Sequence, residues 1–430
     1  MKVRTVLLLA AAVALAGVLA PGCGPRGGSQ TTPAARRVKV TFWHAMGGPL
    51  GDALEEMIGD FERVNPDVDI EPVFMANYAS LSQKLMGAVQ VNAAPNIAQL
   101  YESWTSQFYS LGKLVILDSL IHGPDGFTPL ELADFYPAFI EDNTWDGKIV
   151  TLPFNKSLPV FFYNVEMLTQ AGYPTFPKTW LELRQMLKRL SGAGPAGPGR
   201  QYGGAGLVNE GIFGALLLQK GGFYLDEANR RVGFNSPAGV EAAQFLAELV
   251  NKDSSVYYGA GYEPQNDFLA GKIACLQSTS VSWAFLKPNM TFKVGMAPIP
   301  SGERPAVLSF GTNVGIFRTG TSEQIAASWR FVKWFTSPEQ QAKWAERTFY
   351  VPVRKSSLQV PSYERLLTET PGLRQVLAQL EYLTFEPKSE VWFRGRRVLG
   401  DALEKVIRGQ ASAQQALDEA AAIIEKEMAR

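Results

Sequence analysis

The sequence is poor in the residue types on which many enzymes depend. Its 430 residues include two cysteines and two histidines, and the histidines, His44 and His122, are far apart in the chain. A zinc site usually needs histidines and cysteines clustered at short spacing. A serine nucleophile needs a histidine base and a sharp G-x-S-x-G turn, and that motif and the G-x-x-x-x-G-K-[ST] phosphate loop are both missing. The sequence therefore gives little support to catalysis.

The chain also lacks a net charge. Lysine plus arginine and aspartate plus glutamate each number 41, so nothing points to nucleic acid or an acidic polymer as partner. The length and an apolar fraction of 46% indicate a globular protein of at least two lobes. Nine tryptophans are many for a soluble protein. They indicate either buried core or ring platforms for an uncharged polar ligand, and composition alone favours buried core.

One kind of enzyme does not need any of these missing motifs. A glycosidase can work with two carboxylates alone, and Glu102 with Glu141 or Asp142 is such a pair. Carboxylate pairs are common in a chain with 41 acidic residues, so an extracytoplasmic hydrolase remains the minor alternative.

The N-terminus carries the pattern of a secretory signal. Lys2 and Arg4 precede a nearly apolar run over residues 5–20, and small residues then lead directly to Cys23. This arrangement predicts a signal peptide over 1–22 and a lipid on Cys23, which would hold the protein at a membrane outside the cytoplasm. The alternative is an ordinary signal peptide with an incidental cysteine. Residues 23–37 are rich in Gly, Pro, Ser and Thr and are typical of a flexible tether.

With Cys23 lipidated, Cys275 is the one other cysteine, so no intramolecular disulfide is expected. Cys275 stands among apolar neighbours, which predicts a buried and inert thiol.

Strands and helices alternate after the tether. The apolar periodicity predicts strands over 38–44, 68–75 and 97–101, and helices over 50–64 and 79–92. This alternation is typical of βαβ units and predicts the α/β class with a mostly parallel sheet. Further along, caps and apolar runs predict helices from 179, 237 and 338, strands within 268–278 and at 294–298, a Gly/Pro loop over 191–205 and a helix over 413–428.

Polar and aromatic side chains follow the predicted strands. Ligands of open α/β sheets bind beyond the carboxyl ends of the strands, and a set of hydroxyls, amides, one carboxylate and rings suits a polyol. The segments concerned are 44–48, Asn77-Tyr78, 101–104 and 155–157.

Several long segments resemble a known family. They are FWHAMGGPLG with the helix after it, PFNKSLPVFFYNVEMLTQAGYP with PKTWLEL, FLAGKIACLQSTS, and SPEQQAKWAERTFYVPVRKS. Together they are similar to the extracellular solute-binding proteins of ABC importers, the family that includes the maltose-binding proteins. The resemblance covers about residues 38–428.

The resemblance implies a two-lobed periplasmic-binding-protein fold with a ligand cleft between the lobes. Each lobe would hold a mixed, mostly parallel sheet flanked by helices, with lobe 1 over 38–152 and 307–355 and lobe 2 over 153–306 and 356–430. It further implies a monomeric binding protein, without enzymatic activity, cofactor or metal, that closes on a small molecule and delivers it to the transmembrane subunits of an ABC permease.

Within this family, FWHAMGGPLG, QLYES, FGTNVGIF and WFRGRRVLGDALEKV resemble the branch that binds glycerol phosphate. Carried over position by position, the resemblance implies a ligand site made of Tyr78, Glu102, Ser157, Ser282, Gly311, Tyr350 and Arg397. Glu102 would accept from glycerol hydroxyls and the arginine would hold phosphate, while glycine lets a backbone N–H approach an anion. Ser280 is the alternative to Ser282, and Arg394 and Arg396 are the alternatives to Arg397.

One departure from that branch concerns ligand size. Its members carry tryptophans where this chain has Leu207 and Gly211 within 207–214. The loss of bulky rings predicts a wider cleft that accepts a glycerophosphodiester as well as, or instead of, glycerol-3-phosphate. The alternative is a neutral sugar or oligosaccharide. His44 is expected to be a neutral packing residue at the rim of the cleft, not a base.

Overall fold

The computed structural model describes residues 37–192, 200–226, 230–259 and 261–429. The predicted signal peptide, the lipidation of Cys23 and the tether as far as residue 36 lie outside these residues. Arg37, the last residue of the predicted tether, donates from Nε to the carbonyl oxygen of Val68 at 3.0 Å and is part of the fold.

The strands are mostly short and those predicted from alternation lie where expected. They are β1 (Val38–His44), β2 (Val68–Phe74), β3 (Ile97–Leu100), β4 (Thr144–Trp145), β5 (Lys148–Ile149), β6 (Leu152–Ser157), β7 (Pro159–Asn164), β8 (Tyr202–Ala205), β9 (Leu225–Asp226), β10 (Arg231–Val232), β11 (Val256–Tyr257), β12 (Ile273–Thr279), β13 (Val294–Pro298), β14 (Val307–Leu308), β15 (Phe310–Ile316) and β16 (Leu383–Thr384).

The helices predicted from caps and prolines near 179, 237 and 338 begin at Trp180, Pro237 and Pro338. The helices are α1 (Pro49–Val64), α2 (Tyr78–Gln90), α3 (Glu102–Ser110), α4 (Asp118–Ile121), α5 (Pro129–Ala133), α6 (Pro137–Asp142), α7 (Val165–Gln170), α8 (Trp180–Leu190), α9 (Glu210–Gln219), α10 (Pro237–Asn251), α11 (Glu263–Leu269), α12 (Trp283–Leu286), α13 (Ser322–Phe335), α14 (Pro338–Thr348), α15 (Pro361–Glu369), α16 (Leu373–Leu377), α17 (Glu390–Ile407) and α18 (Ala413–Met428). Thr179 and Glu182 form the predicted capping box of α8.

Two five-stranded sheets organise the described residues. The first has the order β2-β1-β3-β15-β6 and the second β11-β8-β12-β7-β13. In the first, β15 is antiparallel to both neighbours and the other four strands share one direction. In the second, β7 is the reversed strand. Both sheets are thus mixed and mostly parallel, and the predicted α/β fold of two lobes is confirmed. We call the elements packed on the first sheet lobe 1 and those packed on the second lobe 2.

The reversed strand of each sheet is the one that arrives from the other lobe. Strand β6 ends lobe 1 at Ser157, and β7 begins in lobe 2 at Pro159, so a single residue, Leu158, separates them. In the opposite direction, Ser309 separates β14 from β15. The lobes therefore meet at two adjacent strand crossings. The predicted lobe boundaries at 152, 307 and 355 stay a prediction, although β6, which follows the first of them, pairs within the first sheet.

One segment predicted as loop is a buried strand. The sequence predicts a Gly/Pro loop over 191–205, of which 193–199 lie outside the described residues, yet Tyr202–Ala205 forms β8. A Cβ on Gly203 would lie 2.2 Å from the carbonyl oxygen of Leu187 in α8. Glycine at this position lets strand and helix backbones touch, and this tertiary contact cannot be read from local composition.

The apolar core is continuous across the lobes. Phe42 and Phe154 of lobe 1 belong to the same cluster of buried side chains as Phe161 and Leu276 of lobe 2. A smaller cluster around Trp104 and other residues lies under α2 and α3. Cys275 is fully buried, as predicted, and burial raises the pKa of its thiol. None of the described helices combines the length and apolarity that a membrane span requires.

Candidate ligand-binding site

The carboxyl ends of β1, β3 and β6 form the floor of the candidate site, and two helices start there. Tyr78 is the first residue of α2, whose N-cap Asn77 accepts from the backbone N–H of Ser80 at 2.9 Å. Glu102 is the first residue of α3. The predicted binding residues of lobe 1 are therefore placed by helix starts at one edge of the sheet, as the α/β rule requires.

Amides and hydroxyls link three strands beneath this edge. Gln99 donates from Nε2 to Asn155 Oδ1 and to Thr312 Oγ1, each at 3.1 Å. Asn155 donates from Nδ2 to the hydroxyl of Tyr78 at 2.9 Å. The hydroxyl of Tyr78 thus has a fixed donor below it.

Four aromatic rings follow one another from lobe 1 into lobe 2. Tyr78 meets Tyr101, Tyr101 meets Trp104, and Trp104 meets Phe393 of α17, all edge to face with centroids 5.1, 5.1 and 6.2 Å apart. Tyr350 lies behind this row, stacked on Trp344 at 5.7 Å. Burial raises the pKa of Tyr350 well above its usual value, and the charge of the neighbouring Tyr78 adds to this rise.

A buried group of charges lies below Glu102. Lys156 Nζ is 3.1 Å from Glu102 Oε1 and 2.7 Å from Asp142 Oδ2, and the side chains of Lys156 and Asp142 are each 1% exposed. Asn313 donates from Nδ2 to the same two oxygens, at 3.1 and 3.3 Å. Burial and the nearby Asp142 raise the pKa of Glu102 to about 8. The structure brings together the predicted carboxylate pair, but Asp142 is closed to substrate and held by Lys156, which does not suit a glycosidase.

The three arginines of α17 differ in their surroundings. Arg394 is exposed and paired with Glu427 of α18. Arg397 is exposed, on the side of α17 opposite the core, without a hydrogen bond or ion pair to any other described residue. Arg396 is half-buried, and its Nε lies 3.4 Å from Glu386 Oε1, which raises the pKa of the guanidinium.

Arg396 is the arginine whose charge acts on the aromatic row. Burial raises the pKa of Tyr101, Arg396 acts on it in the lowering direction, and Glu102 acts in the raising direction. The ring of Tyr101 therefore lies within electrostatic reach of a cation on lobe 2 and a carboxyl group on lobe 1.

The remaining predicted residues lie at the crossings or in lobe 2. Ser157 ends β6, is 3% exposed and pairs with Phe310 of β15. Ser282 is half-buried and shares a hydrogen bond of 2.7 Å with Ser278. Its alternative, Ser280, is fully buried, and its backbone N–H donates to the carbonyl oxygen of Leu158 at 2.9 Å. Of the two serines, Ser282 has the more accessible hydroxyl.

Gly311 is required by the fold itself. Its φ is +99°, and a Cβ would lie 1.8 Å from the carbonyl oxygen of Asn155. The close approach that this glycine allows is between β15 and β6, where Gly311 pairs with Lys156.

The predicted widening of the cleft at residues 207–214 is wrong at the two positions that suggested it. A Cβ on Gly211 would lie 2.2 Å from Cζ of Phe310, so this ring occupies the space beside the glycine. Leu207 is fully buried in the core. The ring of Phe310, from β15, fills the space beside Gly211. A comparison of residues 207–214 alone does not show this.

His44 is a packing residue, as predicted. It is 4% exposed, its Nδ1 accepts from the backbone N–H of Met46 at 3.2 Å, and burial lowers its pKa to about 4. His122 is exposed on lobe 1. Throughout the described ranges, no three metal-ligating side chains come together.

Sequence reasoning missed Asn313 and the ion pairs of Lys156 with Asp142 and Glu102, although it named Lys156 within 155–157 and Asp142 as a possible partner of Glu102. A signal existed for the ion pairs, because Lys156 interrupts the apolar run LPFNKSLPVFF, and a lysine inside a buried strand requires a carboxylate partner.

Comparison with known proteins assigns the family. Residues 56–370 match the family described as bacterial extracellular solute-binding protein. The chain is 26% identical over 402 residues to the sn-glycerol-3-phosphate-binding periplasmic protein UgpB of Yersinia pseudotuberculosis, covering 88% of this chain and 90% of that one. It is likewise 26% identical over 403 residues to UgpB of Salmonella typhimurium, covering 89% and 90%.

Solved structures share the fold. UgpB of Mycobacterium tuberculosis in complex with glycerophosphocholine has a TM-score of 0.78 at 24% identity, covering 91% of this chain and 97% of that one. The substrate-binding protein Lmo0181 of Listeria monocytogenes, in complex with cycloalternan, has a TM-score of 0.80 at 21% identity, covering 91% and 99%. These neighbours are two-lobed binding proteins, in agreement with the two sheets described above. The chain belongs to the family of bacterial extracellular solute-binding proteins.

Proposed function

We propose that this solute-binding protein captures glycerol-3-phosphate or a glycerophosphodiester for its ABC permease, as a lipoprotein anchored through Cys23. One observation carries the choice of ligand. Arg396 of lobe 2 and Glu102 of lobe 1 both act electrostatically on Tyr101, as does Glu386, the ion-pair partner of Arg396. A cation and a carboxyl group that act on one ring suit a phosphate and a glycerol hydroxyl on one small molecule.

Arg396 has donors to offer such a phosphate. Its one ion pair uses Nε, and neither terminal nitrogen donates a hydrogen bond to any other described residue. A guanidinium presents its donors in a planar fork that fits phosphate oxygens. We therefore assign the phosphate to Arg396, while Arg397, which the family resemblance favoured, is the comparison that tests this choice.

The other contacts that we propose come from both lobes. Tyr78, Ser157, Gly311 and Tyr350 lie along the carboxyl edge of lobe 1, and Ser282 lies at the end of β12 in lobe 2. Relatives named as sn-glycerol-3-phosphate-binding proteins align with nearly the whole chain, which supports the proposal.

A neutral oligosaccharide is the second candidate. The row of Tyr78, Tyr101, Trp104 and Phe393 supports it, because aromatic faces cover the C–H faces of sugars. Such a ligand would not need Arg396.

Calorimetric binding with the lipid-free protein tests the choice. The ligands are sn-glycerol-3-phosphate, glycerophosphocholine and maltose, and the variants are Arg396→Gln, Arg397→Gln and Arg394→Gln. We expect both phosphates to bind, and Arg396→Gln to weaken them about 10- to 100-fold, the value of hydrogen bonds to a charged group. Arg394→Gln, on the same helix and paired with Glu427, should bind like the unaltered protein.

Two results would overturn this assignment. A loss at Arg397→Gln with none at Arg396→Gln would return the phosphate to Arg397. Tight maltose binding without phosphate binding would replace the proposed ligand by a sugar.

A further inference from the structure

The buried charges under Glu102 do not balance. Lys156 contributes one positive charge and faces two carboxyl groups, Glu102 at 3.1 Å and Asp142 at 2.7 Å. If both were ionised, the group would carry a net negative charge while Lys156 and Asp142 are each 1% exposed and Glu102 is 13% exposed. An unbalanced buried charge is costly, and the usual relief is the uptake of a proton.

The two carboxyl groups are close neighbours. Because both bond to the same Nζ, the bonded oxygens are no more than about 6 Å apart, a distance at which like charges oppose each other's ionisation. Asn313 Nδ2 contacts the same two oxygens.

A chain of amides fixes the orientation of Asn313. Asn143 donates from Nδ2 to the backbone carbonyl oxygen of Phe139 at 2.7 Å, which only accepts, and from the same Nδ2 to Asn313 Oδ1 at 3.0 Å. The Nδ2 of Asn313 must therefore be the atom that meets the carboxyl groups, so both of the contacted oxygens accept hydrogen bonds. An added proton then belongs on one of the other two oxygens, Glu102 Oε2 or Asp142 Oδ1.

One of those two oxygens lacks a partner. Asp142 Oδ1 is buried and has no hydrogen-bond partner among the described residues. A buried carboxylate oxygen without a hydrogen-bond partner destabilises the protein. A proton shared between the two carboxyl groups gives this oxygen a partner.

The groups around Glu102 come from four other elements as well as its own. Lys156 of β6 and the N–H groups at the start of α3 favour the carboxylate, and α17 contributes Arg396, which acts on the neighbouring Tyr101. Asp142 at the end of α6 opposes the carboxylate, and Asn313 of β15 donates to either form. Burial and Asp142 prevail, since the pKa of Glu102 rises to about 8.

We propose that the free protein holds one proton between Glu102 and Asp142 above Lys156, so that the cleft presents Glu102 to its ligand as a neutral acid. Lys156 is then a positioning residue that fixes both carboxyl groups without touching the ligand. Glu102 is the partner that meets the ligand, because it is the more exposed of the two carboxyl groups.

The consequence for the ligand rests on the proposed function. With its proton held toward Asp142, Glu102 can accept from a glycerol hydroxyl, and the shared proton removes the negative charge that would repel an anionic phosphate in the same cleft. Loss of the proton would place an uncompensated negative charge beside that phosphate. Binding should therefore weaken as pH rises past the point where the proton leaves.

Infrared spectroscopy of the ligand-free protein, labelled with 13C in its glutamate and aspartate carboxyl groups, tests the proton directly. At pH 7 we expect the carbonyl band of one protonated carboxyl group, lost in Glu102→Gln because Lys156 then balances Asp142. Glu141→Gln, which removes the exposed carboxyl group next to Asp142, should keep the band. A spectrum at pH 7 in which the protein and Glu102→Gln do not differ in this band would overturn the proposal.

Calorimetry with glycerophosphocholine tests the consequence, since a phosphodiester does not itself titrate near neutral pH. Affinity should fall about tenfold for each pH unit above 8 in the protein and in Glu141→Gln, and stay constant in Glu102→Gln. A constant affinity in all three, with the infrared band present, would overturn the role in binding. Failure of every glycerol phosphate to bind would refute the proposed function alone, because the infrared result is independent of ligand.

Discussion

At the residue scale, the binding region is built from buried polar side chains that are held by partners on other strands. Gln99, Asn155 and Thr312 come from β3, β6 and β15, and each is fully buried. Their hydrogen bonds fix the hydroxyl of Tyr78 from below. Such networks are stable only when every member is satisfied, so the lobe 1 side of the cleft is formed before the ligand arrives.

The buried His44 should make the protein less stable in acid, and this effect of one residue can be measured. Its folded pKa of about 4 lies below the 6.5 of the unfolded chain, so the unfolded state binds more protons between these values. Its contribution to stability is complete above pH 6.5 and is lost as pH falls through 4. We expect the His44 contribution to the free energy of unfolding to decrease by about 3 kcal/mol by pH 4, measured by urea denaturation between pH 7.5 and 4.

The variant His44→Asn is the control for this prediction. An asparagine oxygen can accept from the N–H of Met46 but takes no proton, so the variant should lose less stability than the protein over the same pH range. Parallel pH profiles for the two proteins would contradict the assignment of a neutral, buried His44.

At the element scale, the rotation of α17 decides which arginine lies beside its buried face. Its buried face contains Trp392, Leu399 and Leu403. At 100° per residue, Arg396 falls on the shoulder of that face and Arg397 falls on the far side. The apolar pattern of 390–407 therefore indicates that Arg396, not Arg397, lies beside the buried face, which the family resemblance did not take into account.

The segment between β16 and α17 ties lobe 2 to lobe 1 through Lys388. Its Nζ donates to the carbonyl oxygens of Glu141 at 2.9 Å and Thr144 at 2.6 Å, at the C-terminal end of α6. The same ammonium lies 4.9 Å from the ring of Trp145 and 5.4 Å from that of Phe385. Cations at helix C-termini and over aromatic rings are both stabilising.

Replacing this lysine should weaken the fold. We expect Lys388→Met to lower the free energy of unfolding by about 2 kcal/mol, because it leaves helix-end carbonyls without their charged donor. Lys405→Met is the matched control, since Lys405 of α17 forms an exposed ion pair with Glu419 that should contribute less than about 0.5 kcal/mol. Equal effects of the two changes in urea denaturation would contradict the role given to Lys388.

At the scale of the whole molecule, two sheets share one core. The largest cluster of buried apolar side chains contains residues of both lobes without interruption, and only Leu158 separates β6 from β7. Loss of one lobe would expose apolar surface of the other, which couples their unfolding.

We therefore expect one cooperative thermal transition. In scanning calorimetry of the ligand-free protein, the calorimetric enthalpy should equal the van't Hoff enthalpy, as it does for a two-state transition. A calorimetric enthalpy about twice the van't Hoff value, or two resolved peaks, would show that the lobes unfold separately.

Much of the fold was predictable because local signals placed its elements. Strands at 38–44 and 294–298 and the helix at 413–428 agree with the structure to the residue, since alternation, caps and apolar stripes act over short distances. Tyr78 and Glu102 were also predictable, because each begins a helix just after a strand.

The rest depends on contacts between distant residues. Lys156 of β6 forms ion pairs with Asp142 at the end of α6 and with Glu102 at the start of α3. Phe310 of β15 fills the space beside Gly211 of α9. No local pattern encodes such pairs. A lone lysine in an apolar strand indicates that a carboxylate partner is needed, but only the folded chain shows which residue that partner is.

The position of β15 in the first sheet sets the order in which the site can be assembled. The strands of the second sheet all lie between residues 159 and 298, whereas β6 has no neighbour in its own sheet until β15, at 310–316, enters between it and β3. Asn313 arrives on that same strand and joins the two carboxyl groups. During synthesis, therefore, the sheet of lobe 2 can be completed before β15, the last strand of the lobe 1 sheet, has been made. A chain that stops before residue 310 would contain Tyr78, Glu102 and Lys156 but would lack Asn313 and the strand between β3 and β6. We therefore expect binding at the proposed site to report that lobe 1 has finished folding.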